Sequence, residues 1–316
     1  MNNYQKPDKD IWSGRSSEQQ LYLHEKINCI DLKNEILPKK VKNSFAILGY
    51  ACDTGVKRNN GRIGAKKGPE NIRKMLAPLS NHFNSTTQIV DVGNIVCHDD
   101  HLEKTQLETS EYISYLIENT YFPIVLGGGH DLAYAHYNGL SKQYTDKTIG
   151  IINLDAHFDL RQLTGKGNSG TPFYQIAKEN DSFYYCCLGI QKASNNKILF
   201  ETAKDLKVTY LENTQFNIEN RDIVFSTLDQ FISSVDHIYL TIDLDGFSSA
   251  YAPGVSAPSP LGFSLDIVLE TLEFICNSNK LISLDLVELN PIYDIDNVTA
   301  RLAARLIYSI IEKITS

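Results

Sequence analysis

Three short segments carry side chains able to bind metal or move protons: Gly127-Gly128-Gly129-His130-Asp131, Asp155-Ala156-His157-Phe158-Asp159 and Asp243-Leu244-Asp245. In extended backbone, residues two apart point to the same side. Asp155, His157 and Asp159 can therefore converge on one pocket, as can Asp243 and Asp245. Four carboxylates with two imidazoles form a hard, oxygen-rich set that suits Mn or Mg better than a thiolate-loving metal, and His130 and His157 tilt the choice toward manganese. Two ions are expected. Four buried aspartates would repel one another, whereas two divalent cations cancel their charge and hold a bridging hydroxide at neutral pH, the expected nucleophile. Taken singly each segment is weak, because an Asp after an apolar strand is commonly a loop start or helix cap and a His beside Gly is commonly structural. Three such segments, each at the end of an apolar run, reverse that weighting. The glycine run lacks both the G-x-G-x-x-G spacing and the Gly-Lys-Ser/Thr ending of phosphate loops. It is read as slim backbone that lets His130 approach metal.

These segments need a scaffold that brings them together. Eight short apolar runs read as strands: Ser44–Tyr50, Gln88–Val92, Pro123–Leu126, Thr148–Leu154, Phe183–Gly189, Val208–Leu211, His237–Leu244 and Leu281–Val287. Their mostly continuous apolar character suits a parallel sheet covered on both faces. Between them, 103–119, 265–276 and 298–314 place apolar residues at three-and-four spacing and read as helices. An open parallel sheet binds ligands at the carboxyl ends of its strands, which is where the three segments lie. The expected architecture is one α/β domain, a three-layer sandwich over residues 41–316, preceded by a polar N-terminal extension over 1–40.

Bulk properties narrow the function. The 316 residues are 42% hydrophobic, enough for a large core, and carry a formal net charge of -8 with no basic stripe, so no nucleic-acid partner is expected. The start of the chain lacks the apolar core of a signal peptide, and no stretch approaches the roughly 18 apolar residues of a membrane helix. A cytoplasmic protein without a membrane partner is expected. The six cysteines are scattered without C-x-x-C spacing, which indicates neither a disulfide framework nor a thiolate zinc site.

With these residues in view, the chain resembles the ureohydrolase family, which includes arginase, agmatinase and formimidoylglutamase, from about Phe45 onward. The resemblance implies two manganese ions per chain. His130 and Asp159 would bind one, His157 and Asp245 the other, and Asp155 and Asp243 would bridge both. It also implies a three-layer α/β/α sandwich with an eight-stranded parallel sheet, and a homo-oligomer, since relatives form trimers or hexamers. Further likeness lies in Gly68-Pro69 with Ile72-Arg73, and in Asp285-Leu286-Val287-Glu288-Leu289-Asn290-Pro291 followed by Asp294 and Thr299-Ala300. By that likeness Glu288 pairs with the cationic guanidinium or amidine of the substrate.

One departure points to a branch. Arginases and agmatinases place a His before the Gly of their substrate loop, but this chain reads Asn168-Ser169-Gly170-Thr171-Pro172-Phe173. That form looks like the formimidoylglutamase branch, as do Trp12-Ser13-Gly14-Arg15 and Asn60-Gly61-Arg62-Ile63-Gly64-Ala65. The expected reaction is therefore hydrolysis of N-formimidoyl-L-glutamate to glutamate and formamide, a step of histidine degradation. Asp159 is the candidate general acid. Asn168 and Ser169 are candidate substrate contacts, and Arg161 and Arg62 are candidate clamps for the two substrate carboxylates. The alternatives are an agmatinase or another guanidino-compound hydrolase, and, from a different class, an inactive member serving as a binding or regulatory subunit. A deacetylase-like single-zinc hydrolase shares the broad architecture but has no use for both aspartate motifs.

Overall fold

The computed structural model describes residues 3–316. Among them one sheet collects the strands β1 (Tyr4–Gln5), β2 (Asn28–Cys29), β3 (Asn43–Ala51), β4 (Thr87–Val96), β5 (Phe122–Leu126), β6 (Ile149–Leu154), β7 (Tyr184–Ile190), β8 (Thr209–Glu212), β9 (His237–Asp243) and β10 (Leu281–Val287). Their order is β1-β4-β3-β5-β10-β9-β6-β7-β8, with β2 also paired to β4. The eight apolar runs form the eight long strands, all parallel to one another. The count of eight is corrected to ten. The N-terminal extension adds β1, antiparallel on β4, and β2, parallel on β4, each only two residues long. So short a strand carries no readable period.

Alternation along each strand splits the core into two layers. Ile124, Leu126, Ile152, Leu154, Leu240, Ile242, Leu284 and Leu286 face one cluster, while Val125, Ile151, Tyr239 and Val287 face the other. Helices 68–76, 221–233, 265–277 and 298–315 bury apolar faces in the first cluster, and helices 102–118, 132–141, 172–179 and 197–205 in the second. This is the three-layer arrangement that an apolar parallel sheet requires.

The register matters most for function. Leu126 pairs with Leu286, Leu286 with Ile242, and Ile242 with Leu154, so β5, β10, β9 and β6 end in one level row. The residues that leave this row include Gly127, Val287, Asp243 and Asp155. Four segments far apart in the chain thus emerge side by side at the middle of the sheet.

The extension is tied down by a buried polar knot. Arg73 donates through Nε and Nη2 to the two carboxylate oxygens of Asp91, at 2.8 Å each. The indole Nε1 of Trp12 donates to the same carboxylate at 2.7 Å. Arg73 is 2% exposed and Asp91 0%. The fork geometry of a guanidinium on a carboxylate satisfies both buried charges at once.

Candidate metal centre and its cavity

Each strand end delivers its side chain by a local device. After β6, Asp155 accepts the His157 backbone N–H at 2.7 Å, and after β9, Asp243 accepts that of Asp245 at 2.8 Å. Each Asp thereby folds its own loop back over the strand end, which brings the second candidate ligand beside the first. Asp159 and Glu288 both hold the left-handed backbone region, with φ of 49° and 67°. Such conformations are uncommon outside glycine and concentrate where side chains must be aimed.

The glycine run sits at a close crossing of backbones. A Cβ on Gly128 would lie 1.8 Å from the carbonyl oxygen of Cys52, so only glycine lets the loop pass the end of β3. Gly129 N–H then donates to that carbonyl at 3.0 Å, and the Glu288 N–H donates to the Gly128 carbonyl at 2.8 Å. His130 N–H in turn donates to Glu288 Oε1 at 2.9 Å. The loop is threaded between two strand ends, and His130 is held as a consequence.

The six expected ligands converge. His130 Nδ1 lies 3.2 Å from Asp155 Oδ2, 3.0 Å from Asp159 Oδ2 and 3.0 Å from Asp243 Oδ2. His157 Nδ1 lies 3.5 Å from Asp155 Oδ1 and 3.4 Å from Asp245 Oδ1. The donor atoms form two groups, His130 with Asp155, Asp159 and Asp243, and Asp155 with His157 and Asp245. Asp155 belongs to both. Asp243 falls in the first group, beside the second.

Electrostatics mark this as a place for cations. Burial, followed by the charges of Asp245 and Asp155, pushes the Asp243 carboxyl well above the usual range. Burial also raises Asp159 and Asp245. For Asp155 burial works in the same direction, but the two imidazoles outweigh it and hold its pKa below the ordinary value. His130 Nδ1 and Asp245 Oδ1 are buried without a hydrogen-bond partner. Buried polar atoms are normally satisfied, so two orphans aimed into a cluster of carboxylates fit metal ligation.

Beside the centre lies a cavity of about 320 Å³, lined by His157, Asp159, Asp243, Asp245 and Glu288. It is also lined by residues 59–62, Arg161, Ser169 and Ser256. Glu288 is buried, and burial with the charge of Asp245 pushes its pKa up to about 8. A cation in the cavity would restore its ionised form. Ser169 lines the cavity and accepts from Asn59 Nδ2 at 3.1 Å, while Asn59 Oδ1 accepts from Arg161 Nη1 at 2.8 Å. Arg62 also lines it, with Nε donating to the Ser256 carbonyl at 2.8 Å, Nη2 to that of Val255 at 2.6 Å, and its guanidinium 3.8 Å above the Tyr293 ring.

Asn168 is placed differently from the expectation. It is not among the lining residues, and its Oδ1 accepts from Gly170 N at 2.9 Å, so the side chain shapes the loop. Asn59 and Ser256 were not anticipated. Asn59 precedes the singled-out Asn60-Gly61-Arg62 stretch by one residue, whereas Ser256 sits in a loop with no spacing signal.

Residues 43–312 match the model of the arginase family. The chain belongs to the arginase family. Membership makes it a hydrolase of carbon–nitrogen bonds. It is similar to the formimidoylglutamase of Legionella pneumophila strain Philadelphia 1, 44% identical over 319 residues that cover 99% of this chain and 98% of that one. The formimidoylglutamase of Clostridium tetani is 41% identical, over 99% of this chain and 96% of that one. Among solved structures, the formimidoylglutamase of Bacillus subtilis superposes with a TM-score of 0.82 at 21% identity, covering 96% of this chain and 94% of that one. Trypanosoma cruzi formiminoglutamase with manganese superposes with a TM-score of 0.79 at 24% identity, covering 87% and 94%. These two likenesses are of arginase-family fold. Among the described residues, no helix is long and apolar enough to cross a membrane.

Proposed function

We propose that this arginase-family chain hydrolyses N-formimidoyl-L-glutamate to L-glutamate and formamide in histidine degradation, as a cytoplasmic homo-oligomer. The observation that carries the reading is one cavity lined both by the buried acid Glu288 and by the cationic residues Arg62 and Arg161. A substrate with a cationic amidine at one end and two carboxylates at the other fits that division of charge. The names of the relatives described above support it.

His130, Asp155, His157, Asp159, Asp243 and Asp245 would hold two manganese ions, which supply a water ionised near neutral pH and a Lewis acid for the amidine. The chain's own residues do the rest. Glu288 binds the amidinium with the carboxylate oxygen that His130 N–H leaves free, which fixes the amidine carbon beside the aspartates. Arg161 and Ser169 bind a substrate carboxylate, with Asn59 holding both in place. Arg62 is already anchored by two carbonyls and a ring, so it offers a preorganised cation at low entropic cost. Asp159 keeps the proton released by the attacking water and returns it to the departing glutamate nitrogen.

With manganese, purified protein should release glutamate from formimidoylglutamate and little urea from arginine, agmatine or guanidinobutyrate. Strong urea release would reassign the substrate. Replacing Glu288 by Gln keeps an acceptor for His130 N–H but removes the charge. Because a charge-assisted hydrogen bond contributes about 1.5–3 kcal/mol, kcat/KM should fall roughly 10- to 100-fold. Manganese content should stay at two per chain, and an unchanged kcat/KM would remove Glu288 from the substrate site.

A further inference from the structure

Behind His130 runs a chain of buried hydrogen bonds that the reaction above does not use. His130 Nε2 lies 3.1 Å from Thr241 Oγ1, and Thr241 donates that hydroxyl proton to Asp285 Oδ1 at 2.5 Å. The other carboxylate oxygen of Asp285 accepts from Tyr239 OH and, at 2.6 Å, from His136 Nδ1. His136 Nε2 lies 2.6 Å from Ser283 Oγ, whose proton goes to the Pro123 carbonyl at 3.0 Å. Tyr239, Thr241, Ser283, Asp285 and His136 are all 0% exposed. Such a polar group in the apolar layer between sheet and helix 132–141 is costly unless every member is satisfied.

Register explains the arrangement. Thr241 sits directly opposite Asp285 across the parallel pair β9 and β10. Alternation puts Tyr239, Thr241 and Asp243 on one face, so the strand residue just before the candidate ligand on that face carries the hydroxyl.

Direction follows from donor counting. A carboxylate only accepts, so the Thr241 hydroxyl must spend its single proton on Asp285. Its lone pairs are then left for His130, whose Nε2 must be the protonated nitrogen. In the neutral ring that metal ligation requires, Nδ1 then carries the free lone pair, and it is the atom that faces Asp155, Asp159 and Asp243.

We propose that Thr241 and Asp285 are positioning residues which, through this one-way hydrogen-bond chain, fix the His130 tautomer so that Nδ1 is presented to the cation. The inference rests on the metal-centre reading given above. Outer partners of this kind typically alter metal affinity 10- to 100-fold.

The test is manganese titration of the full-length chain followed by electron paramagnetic resonance, which counts bound ions and reads their affinities without turnover. Thr241→Val should weaken one of the two ions roughly 10- to 100-fold, and Thr241→Ser, which keeps the hydroxyl, should restore affinity to within about threefold. Asp285→Asn should weaken the same ion, because an amide NH2 facing Thr241 turns its hydroxyl proton toward His130 Nε2. A role confined to packing would lower unfolding stability in both Thr241 variants and leave the affinities equal. Wild-type affinity in folded Thr241→Val or in Asp285→Asn overturns the proposal. Failure of the wild-type chain to bind two ions overturns the metal-centre reading instead, so the two failures are separable.

Discussion

Asp155→Asn protein is expected to hold fewer than two manganese ions per chain and to turn over at least about 10³-fold more slowly than wild type. Asp155 is the one carboxylate common to both donor groups, and it is fully buried. A carboxamide removes a full charge from a site that water cannot screen, and about 4 kcal/mol of lost stabilisation corresponds to that factor. The Asp243→Asn variant sharpens the test. Burial and two neighbouring aspartates penalise the charged form of Asp243, so its neutral replacement relieves repulsion in the metal-free fold. Metal-free Asp243→Asn should therefore unfold at a urea concentration no lower than wild type, which separates loss of metal from loss of structure. Elemental analysis after gel filtration and steady-state turnover are the measurements. Two ions and turnover within tenfold of wild type, in either variant, would sink the binuclear centre.

The second large effect lies outside the cavity lining. Arg73→Met should lower unfolding free energy by about 3–5 kcal/mol, because Asp91 would stay buried with its guanidinium partner gone. Trp12 and the Gly93 N–H would still donate to that carboxylate, which places the loss toward the lower end. Adding Asp91→Leu should recover only part of the stability, since the buried indole N–H would then lose its acceptor. Urea unfolding of metal-loaded protein measures both. A loss below about 1 kcal/mol for Arg73→Met would show that the pair contributes little.

The long strands were legible because their apolar runs are continuous, and the candidate ligand residues because three of those runs end in metal-type side chains. What the sequence withheld is order. Nothing in the runs 123–126, 148–154, 237–244 and 281–287 says that they lie as neighbours β5-β10-β9-β6, since parallel strands pair through long crossovers and not through adjacency in the chain. Asn59 and Ser256 were invisible for the same reason, being loop residues brought to the cavity only by those crossovers. Asn168 was misplaced because an Asn in a loop has two uses, binding a ligand or bracing its own turn, and only coordinates tell them apart. Thr241 passed unremarked inside an apolar run, where its hydroxyl gives no periodic signal.

The level row at the ends of β5, β10, β9 and β6 makes the centre an all-or-nothing assembly. Sliding any one of these pairings by a single residue would swing its side chains to the opposite face and withdraw a candidate ligand or Glu288 from the cluster. The cation pocket is in that sense a gauge of correct strand alignment, closed only when three independent pairings are true to one residue, and no partly threaded chain can offer it.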